Sequence, residues 1–312
     1  MATAPLNFIR GRKKRTAEAE LPRVPKPDWL KVRAPGSENY HRLKGLMRGL
    51  GLHTVCEEAN CPNIGECWHH GTATFMILGG TCTRSCGYCN VTHGTPAAAD
   101  EQEPVKVASA IHALGLEYVV VTSVDRDDLP DFGAGHFART IRETRERIPS
   151  CRLEVLIPDF QGDRAALQIV LDARPDVLNH NIETVPRLYR TARPGGRYTR
   201  ALDVLRNARE IAPGIPTKSG LMVGLGEEWD EVVQTLRDLR DAGVRIVTIG
   251  QYLRPSLANL PMVRYYTPSE FAELKRIGLE LGFGHVESGP LVRSSYHAHE
   301  QTQSLEASAS AE

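Results

Sequence analysis

From residue 73 to residue 281, short apolar runs bounded by turn residues alternate six times with stretches of helical spacing. The runs are Thr74–Leu78, Tyr118–Ser123, Arg152–Ile157, Val177–Ile182, Thr217–Val223 and Ile246–Gln251. The helical stretches are Val105–Leu114, His136–Arg147, Arg164–Ala173, Thr199–Ile211, Trp229–Ala242 and Pro268–Leu281. Strand, helix and strand in that recurrence imply a parallel sheet with right-handed crossovers. Unbroken runs such as Tyr118-Val119-Val120-Val121 suit strands covered on both faces. A doubly wound sheet and a barrel both satisfy the pattern. Six units fall short of a full eight-stranded barrel, so the expected fold is α/β, an open, partial (β/α)6 barrel.

Both arrangements bind ligands at the carboxyl ends of their strands, and there the polar residues gather. The first strand ends at Gly79-Gly80, where the backbone can approach a ligand closely, and runs into Cys82. The second ends at Ser123 and continues through Asp125 and Arg126. That neighbouring pair reads either as a holder of ribose hydroxyls or a carboxylate, or as a surface salt bridge. The fourth strand carries His180, Asn181 and Glu183, and the fifth carries Lys218, Ser219 and Gly220. Arg193, in Arg193-Pro194-Gly195-Gly196, reads as a carboxylate holder or as part of a plain loop. Any one of these is ordinary for a strand end. Their convergence on one rim marks a site.

Six of the seven cysteines fall between Cys56 and Cys89. Dense disulfide frameworks belong to small secreted domains, whereas this chain is long and its start lacks an apolar signal core. Metal or cluster binding in a reducing, cytoplasmic compartment is the expectation. Cys82, Cys86 and Cys89 stand within eight residues, so one short loop can turn all three sulfurs toward one point. Soft thiolates select zinc, copper(I) or iron–sulfur clusters. Three thiolates on a cubane leave one iron without a protein ligand, and an open metal position reads as chemistry. The blander reading is a structural zinc knuckle with a distant fourth ligand. An exposed iron can bind the amino and carboxylate groups of S-adenosylmethionine. Tyr88, between two of the cysteines, either presses on an adenine or packs the loop. The second triplet, Cys56, Cys61 and Cys67, has four and five intervening residues. That spacing fits zinc poorly, since zinc sites use tighter pairs. It too lacks a fourth ligand, and a purely stabilising cluster is its plain alternative. Cys151 stands alone and reads as a buried, inert thiol.

The flanks are simpler. Residues 1–24 hold a basic cluster from Arg10 to Arg15 and read as a solvated, disordered arm, with a transit peptide as the other reading. Pro22, Pro25 and Pro27 impose an extended path, and Trp29-Leu30 is expected to anchor it. Glu38–Leu50 has helical spacing, with Leu43, Leu46, Met47 and Leu50 on one face. Residues 300–312 read as a disordered tail. Formal net charge is zero, which gives no electrostatic case for nucleic acid. No apolar run approaches the roughly 20 residues needed to span a bilayer.

The Cys82 triplet resembles the signature of radical S-adenosylmethionine enzymes. Thr54 to Trp68, the Ser-Val-Asp-Arg-Asp-Asp-Leu-Pro stretch from Ser123 to Pro130, and Arg293-Ser294-Ser295-Tyr296 narrow the resemblance to the lipoyl synthases. Asn179 to Thr184 and Lys218 to Glu227 are similar as well, and the likeness spans about residues 25–298. It implies two 4Fe–4S clusters and S-adenosylmethionine. Cys82, Cys86 and Cys89 would hold the cluster that binds S-adenosylmethionine. Cys56, Cys61 and Cys67 would hold an auxiliary cluster completed by Ser294, with Ser295 as fallback. Tyr88, Gly79, Gly80, Ser123, Asp125, Asn181, Glu183, Lys218 and Arg193 are the candidate cofactor contacts.

The implied organisation is an auxiliary-cluster extension over residues 25–72, a barrel over 73–285 and a closing segment over 286–299. The implied reaction is sulfur insertion at C6 and C8 of a protein-bound octanoyl chain. Its partners would be an octanoylated lipoyl carrier domain (glycine cleavage H protein or 2-oxoacid dehydrogenase E2), an electron donor such as flavodoxin or ferredoxin, and a cluster-assembly carrier. Biotin-synthase-like sulfur inserters and methylthiotransferases share only the first triplet. A non-enzymatic electron carrier or zinc protein leaves the polar rim unexplained.

Overall fold

The computed structural model describes residues 25–32, 34–59, 61–69, 74–298 and 300–301. The expected arm at residues 1–24 and almost all of the expected tail lie outside these residues. Ten strands occur among them: β1 (His53–Thr54), β2 (Thr74–Ile77), β3 (Thr81–Cys82), β4 (Thr92–His93), β5 (Tyr118–Ser123), β6 (Arg152–Leu156), β7 (Val177–Asn179), β8 (Thr217–Val223), β9 (Ile246–Gln251) and β10 (His285–Gly289). The α-helices are α1 (Glu38–Leu50), α2 (Val55–Glu58), α3 (Ile64–His69), α4 (Glu103–Leu114), α5 (Ala134–Arg147), α6 (Arg164–Asp172), α7 (Pro186–Ala192), α8 (Tyr198–Ile211), α9 (Trp229–Asp241) and α10 (Pro268–Glu280).

The main sheet runs β1-β2-β5-β6-β7-β8-β9-β10, in chain order. Every pair is parallel except β1 with β2. A doubly wound sheet reverses its strand order at a switch point, and this one never does. The sequential order and open ends are those of a partial barrel. The six strand–helix units stand as expected, and β10 adds a seventh parallel strand after the sixth helix. The expected Val177–Ile182 strand stops at Asn179, because the chain bends away at the polar residues that follow. Helix α7, with Pro186 at its first position, was not anticipated from the spacing.

Apolar packing divides into two halves. Trp68, Phe75, Phe137 and Phe160 centre the first, between the early strands and α1, α4, α5 and α6. Tyr266, Phe271 and Leu274 centre the second, beneath β8–β10. Leu43 and Met47 of α1 are fully buried in the first half, and Leu46 and Leu50 pack against it as half-buried neighbours. Trp29 disappoints the anchoring expectation: it lies on a single 3-10 turn with no buried residue and is 43% exposed. Cys151 is fully buried, as expected.

Candidate active site

Strand β2 is buried at all four positions and delivers the chain to the carboxyl rim. Leu78, just past it, adopts a left-handed φ of 69°. Its amide donates to Glu103 Oε2 at 2.7 Å and its carbonyl accepts from Arg126 at 3.4 Å. Two charged side chains thus hold the turn that aims the Cys82 loop. Arg126 also takes Asp128 in a two-pronged pair at 2.8 Å, so it does not pair with Asp125.

The loop itself is clamped by Arg84, whose side chain is 3% exposed. Its guanidinium lies 2.7 Å from Asp127, 2.6 Å from Asp159 and 3.3 Å from Asp125. Burial works against its charge, but the three carboxylates more than reverse that and hold it protonated. Asp159 pairs with Arg200 as well, and its carboxyl is driven well below the usual range because Arg84 outweighs the cost of burial. Arg84 stands between two of the cysteines, but nothing in its neighbours in sequence announces three distant acidic partners. Sequence reasoning missed it.

Cys82 Sγ accepts from the amides of Arg84 at 3.4 Å and Asp125 at 3.3 Å. Burial pushes the Cys82 thiol up to about 11 and the Cys86 thiol up to about 12, with Asp125 and Cys89 adding to both. These sulfurs sit close enough to feel one another's charge. A cavity of about 150 Å³ opens beside them. Ser123, Asp125, Asn181, Glu183 and Arg193 line it together with Tyr88. Ser123 Oγ is buried there without a hydrogen-bond partner, and Asp125 Oδ1 has only its ion pair with Arg84. Arg193 is held by the Asn181 carbonyl at 3.0 Å and the Tyr189 hydroxyl at 3.1 Å. Burial raises the Glu183 carboxyl despite Arg193 and Asn181, which favour its charged form.

Three of the candidate cofactor contacts stand elsewhere. Lys218 is a correction: it is fully buried and paired with Glu154 at 2.9 Å, away from the cavity, because it stands at the amino-terminal start of β8 and not at its carboxyl end. Gly79 takes a left-handed turn, and Gly80 lies against the His53 ring; neither lines a cavity.

A second cavity of about 420 Å³ adjoins the first. The two share Tyr88, Cys89, Leu156, Asn181 and Glu183. Cys56, Cys61 and Ser294 line the second, and Cys67 does not. Cys56 lies on α2, whose first turn is capped by the Thr54 hydroxyl at 3.3 Å. Burial and the neighbouring thiols push Cys56 up to about 11 and Cys67 up to about 12. Burial also raises Cys61, with Arg293 beside it opposing.

The closing segment reaches this triplet from more than 200 positions away. Asn63 donates to the Leu291 carbonyl at 2.7 Å, and the Tyr296 hydroxyl donates to Glu66 at 3.1 Å. The segment can lie on the sheet because β8 and β9 each present a glycine. A Cβ at Gly250 would run into the Val292 carbonyl, and one at Gly220 would meet Ser294 Oγ at 2.9 Å. Ser294 points at the sheet and its hydroxyl donates to Asn181 Oδ1 at 3.0 Å, while Ser295 lines the same cavity.

Among the described residues no three thiol, imidazole or carboxylate groups converge as ligands of a single metal ion do. In a cubane each thiolate sits on its own iron, so cluster ligands need no such convergence. Two sets of three soft donors, each largely buried, fit clusters on donor chemistry. The partnerless Ser123 hydroxyl, beside the Asp125 carboxylate, fits a hydroxyl- or amine-bearing ligand next to the first set.

Comparison with known proteins follows the same line. Residues 76–239 match the radical SAM superfamily, and residues 6–61 match the N-terminal domain of lipoyl synthase of the radical SAM family. The lipoyl synthase of Rubrobacter xylanophilus is 63% identical over 89% of this chain and 87% of its own length. That of Koribacter versatilis is 60% identical over 90% of this chain and 92% of its own. That of Tolumonas auensis is 53% identical over 98% and 94%. Among solved structures, HydG, a maturase of the [FeFe]-hydrogenase, aligns with a TM-score of 0.54 at 15% identity over 74% of this chain and 54% of its own. Streptococcus suis SuiB bound to precursor peptide SuiA gives 0.54 at 10% identity over 72% and 52%. These two likenesses speak for the fold alone.

Proposed function

The chain belongs to the lipoyl synthases of the radical SAM superfamily, and from that premise we propose which of its residues carry the reaction. The enzyme inserts sulfur at C6 and C8 of a protein-bound octanoyl chain, using S-adenosylmethionine and two 4Fe–4S clusters. Its target carbons are unactivated, so no side-chain base removes their hydrogens, and cofactors must carry that step. When bound, S-adenosylmethionine and its cluster supply a 5′-deoxyadenosyl radical, and the auxiliary cluster supplies the sulfur.

In our reading Cys82, Cys86 and Cys89 hold the first cluster, and Arg84 fixes the loop that carries them. Ser123, Asp125, Asn181, Glu183 and Arg193 receive S-adenosylmethionine, with Tyr88 on the wall between the two cavities. Cys56, Cys61, Cys67 and Ser294 hold the auxiliary cluster. Lys218 takes no part in binding; with Glu154 it secures the barrel interior. The larger cavity takes the octanoyl chain, and its apolar walls exclude water from the reacting carbons.

One observation carries this reading. Cys82, Cys86 and Cys89 open on one cavity and Cys56, Cys61 and Ser294 on the next, and the two share a wall at Tyr88, Cys89, Leu156, Asn181 and Glu183, so one chain lying there reaches both. An octanoylated carrier follows from the reaction. We propose a glycine cleavage H protein or a 2-oxoacid dehydrogenase E2 domain for that role, a flavodoxin or ferredoxin as electron donor, a cluster-assembly carrier for reloading and a cytoplasmic setting. Among the described residues no helix is long and apolar enough to cross a membrane. The test is anaerobic incubation with octanoylated carrier peptide, S-adenosylmethionine and reductant. Mass spectrometry should find two added sulfurs, and metal analysis about eight irons per loaded chain. Unmodified peptide from a fully loaded chain would refute the reading.

A further inference from the structure

The Ser294 hydroxyl has a second place to go. It donates to Asn181 Oδ1 at 3.0 Å. The amide is itself oriented: Asn181 Nδ2 donates to Glu183 Oε1 at 3.2 Å, which turns Oδ1 toward the serine. The meeting point is built into the sheet. Around the position a Cβ of Gly220 would take, Asn181 Oδ1 lies at 2.6 Å, Ser294 Oγ at 2.9 Å and Thr248 Oγ1 at 3.0 Å. Only a glycine on β8 leaves room for these three oxygens. Asn181 also lines both cavities, and its carbonyl accepts from Arg193 at 3.0 Å.

An alkoxide on iron has no proton to give, and a carbonyl oxygen is then a repulsive neighbour. The hydrogen bond to Asn181 and ligation as an alkoxide therefore exclude each other. We propose that Asn181 is a positioning residue that catches the Ser294 hydroxyl when it is off the auxiliary cluster. Off the cluster the oxygen would carry a proton taken from a water whose hydroxide would replace it on the iron, and the O–H would turn to Asn181. On religation that hydroxide would leave with the serine proton as water. The catch keeps the fourth ligand beside its site while the cluster is opened or reloaded. This rests on the reading of Ser294 as a ligand.

The test follows loss of iron from the loaded auxiliary cluster to a colorimetric chelator, with Mössbauer spectra identifying the iron that leaves. Ser294→Ala should speed that loss; an unchanged rate removes the premise and the proposal with it. Asn181→Ala removes the competing partner, so loss should slow by about 2- to 10-fold, the range of one ordinary hydrogen bond. In the Ser294→Ala background the same change should have no effect, since contacting partners lose their coupling when one is absent. Asn181→Asp gives up the amide donor toward Glu183 but keeps an acceptor for the serine, and should release iron at the parent rate. An Asn181→Ala variant that loses iron as fast as the parent or faster overturns the proposal. So does a slowing that persists undiminished without Ser294.

Discussion

The two cysteine triplets are held by different physics. The Cys82 loop is locked by charge: Arg84, 3% exposed, faces three carboxylates, of which Asp159 is fully buried. The Cys56–Cys67 stretch hangs on neutral or half-exposed bonds. These are the Thr54 cap, the Asn63 amide on Leu291 and the Tyr296 hydroxyl on Glu66. Removing one member of a buried ion network costs about 3–5 kcal/mol, while a single neutral hydrogen bond contributes about 0.5–1.5. A loop that must present the same geometry at every turnover gains from the first kind of anchor. A centre that gives up its sulfur and is rebuilt needs anchors that open singly.

The sharpest way to break this contrast is to remove one thiolate from each side. Cys86→Ala should reduce both 5′-deoxyadenosine formation and sulfur insertion to background. Cys56→Ala should abolish sulfur insertion and leave reductive cleavage of S-adenosylmethionine largely intact, read by chromatography of the nucleoside. A lipoyl product from the Cys56→Ala chain would end the division of labour between the triplets.

Arg84→Ala comes next. It leaves Asp125, Asp127 and Asp159 facing one another across a buried space, with Arg200 as the remaining partner of Asp159. Urea unfolding should show a loss of about 3–5 kcal/mol, and loading of the first cluster should fall while the auxiliary cluster still forms. A loss below about 1 kcal/mol would show that the loop is not held by charge.

Arg84 also shows where sequence reading stops. The six strand–helix units were legible because hydrophobic period is local, and both triplets were legible because ligand spacing is local. Asp125, Asn181 and Glu183 were read from the rule that ligands bind at strand ends and Arg193 from its Arg-Pro-Gly-Gly stretch, and all four line one cavity. Lys218 was misplaced because it opens β8 and does not close it: it stands two residues before the cavity-lining Gly220 on the same face, deep enough to meet Glu154. The Arg84 network joins residues 43 and 75 positions apart, and the Asn63–Leu291 bond spans 228. No period or spacing encodes such pairs; they exist only once the sheet has brought the strand ends together. Strand β10 was hidden for a related reason, its half-buried His285-Val286-Glu287-Ser288-Gly289 being too polar to read as a covered strand.

His180 sharpens the comparison from beneath the first loop. It is fully buried, with Nδ1 against the Ile157 carbonyl at 2.8 Å and Nε2 without a partner. Burial, with Arg193 and Arg84 facing it and Asp159 only partly offsetting them, lowers it to about 4. The unfolded chain therefore takes the proton first as pH falls. Stability on this account is full above about pH 6.5 and declines by about 1.4 kcal/mol per unit toward pH 4. Asp159 titrates only below that window, because its folded value is depressed. Urea midpoints at pH 6.5 and 5 should fall for the parent chain, and His180→Gln should flatten that fall. An equal slope in the variant would assign the acid sensitivity elsewhere.

The smallest effect probes the weaker anchor. Tyr296→Phe removes one hydroxyl, 3.1 Å from Glu66, and leaves the ring stacked on His297 at 4.0 Å. Global stability should change by about 1 kcal/mol or less, since the bond is neutral-to-charged but partly solvated. Among the described residues Glu66 then keeps the distant His297, 4.0 Å away. Asn63 still holds the Leu291 end of the segment, so Ser294 stays near the cysteines but swings from one side. The expected result is auxiliary iron lost to a chelator a few-fold faster, with 5′-deoxyadenosine formation unchanged. If Tyr296→Phe instead slows the nucleoside, the closing segment supports both cavities, and the two triplets are not independently anchored.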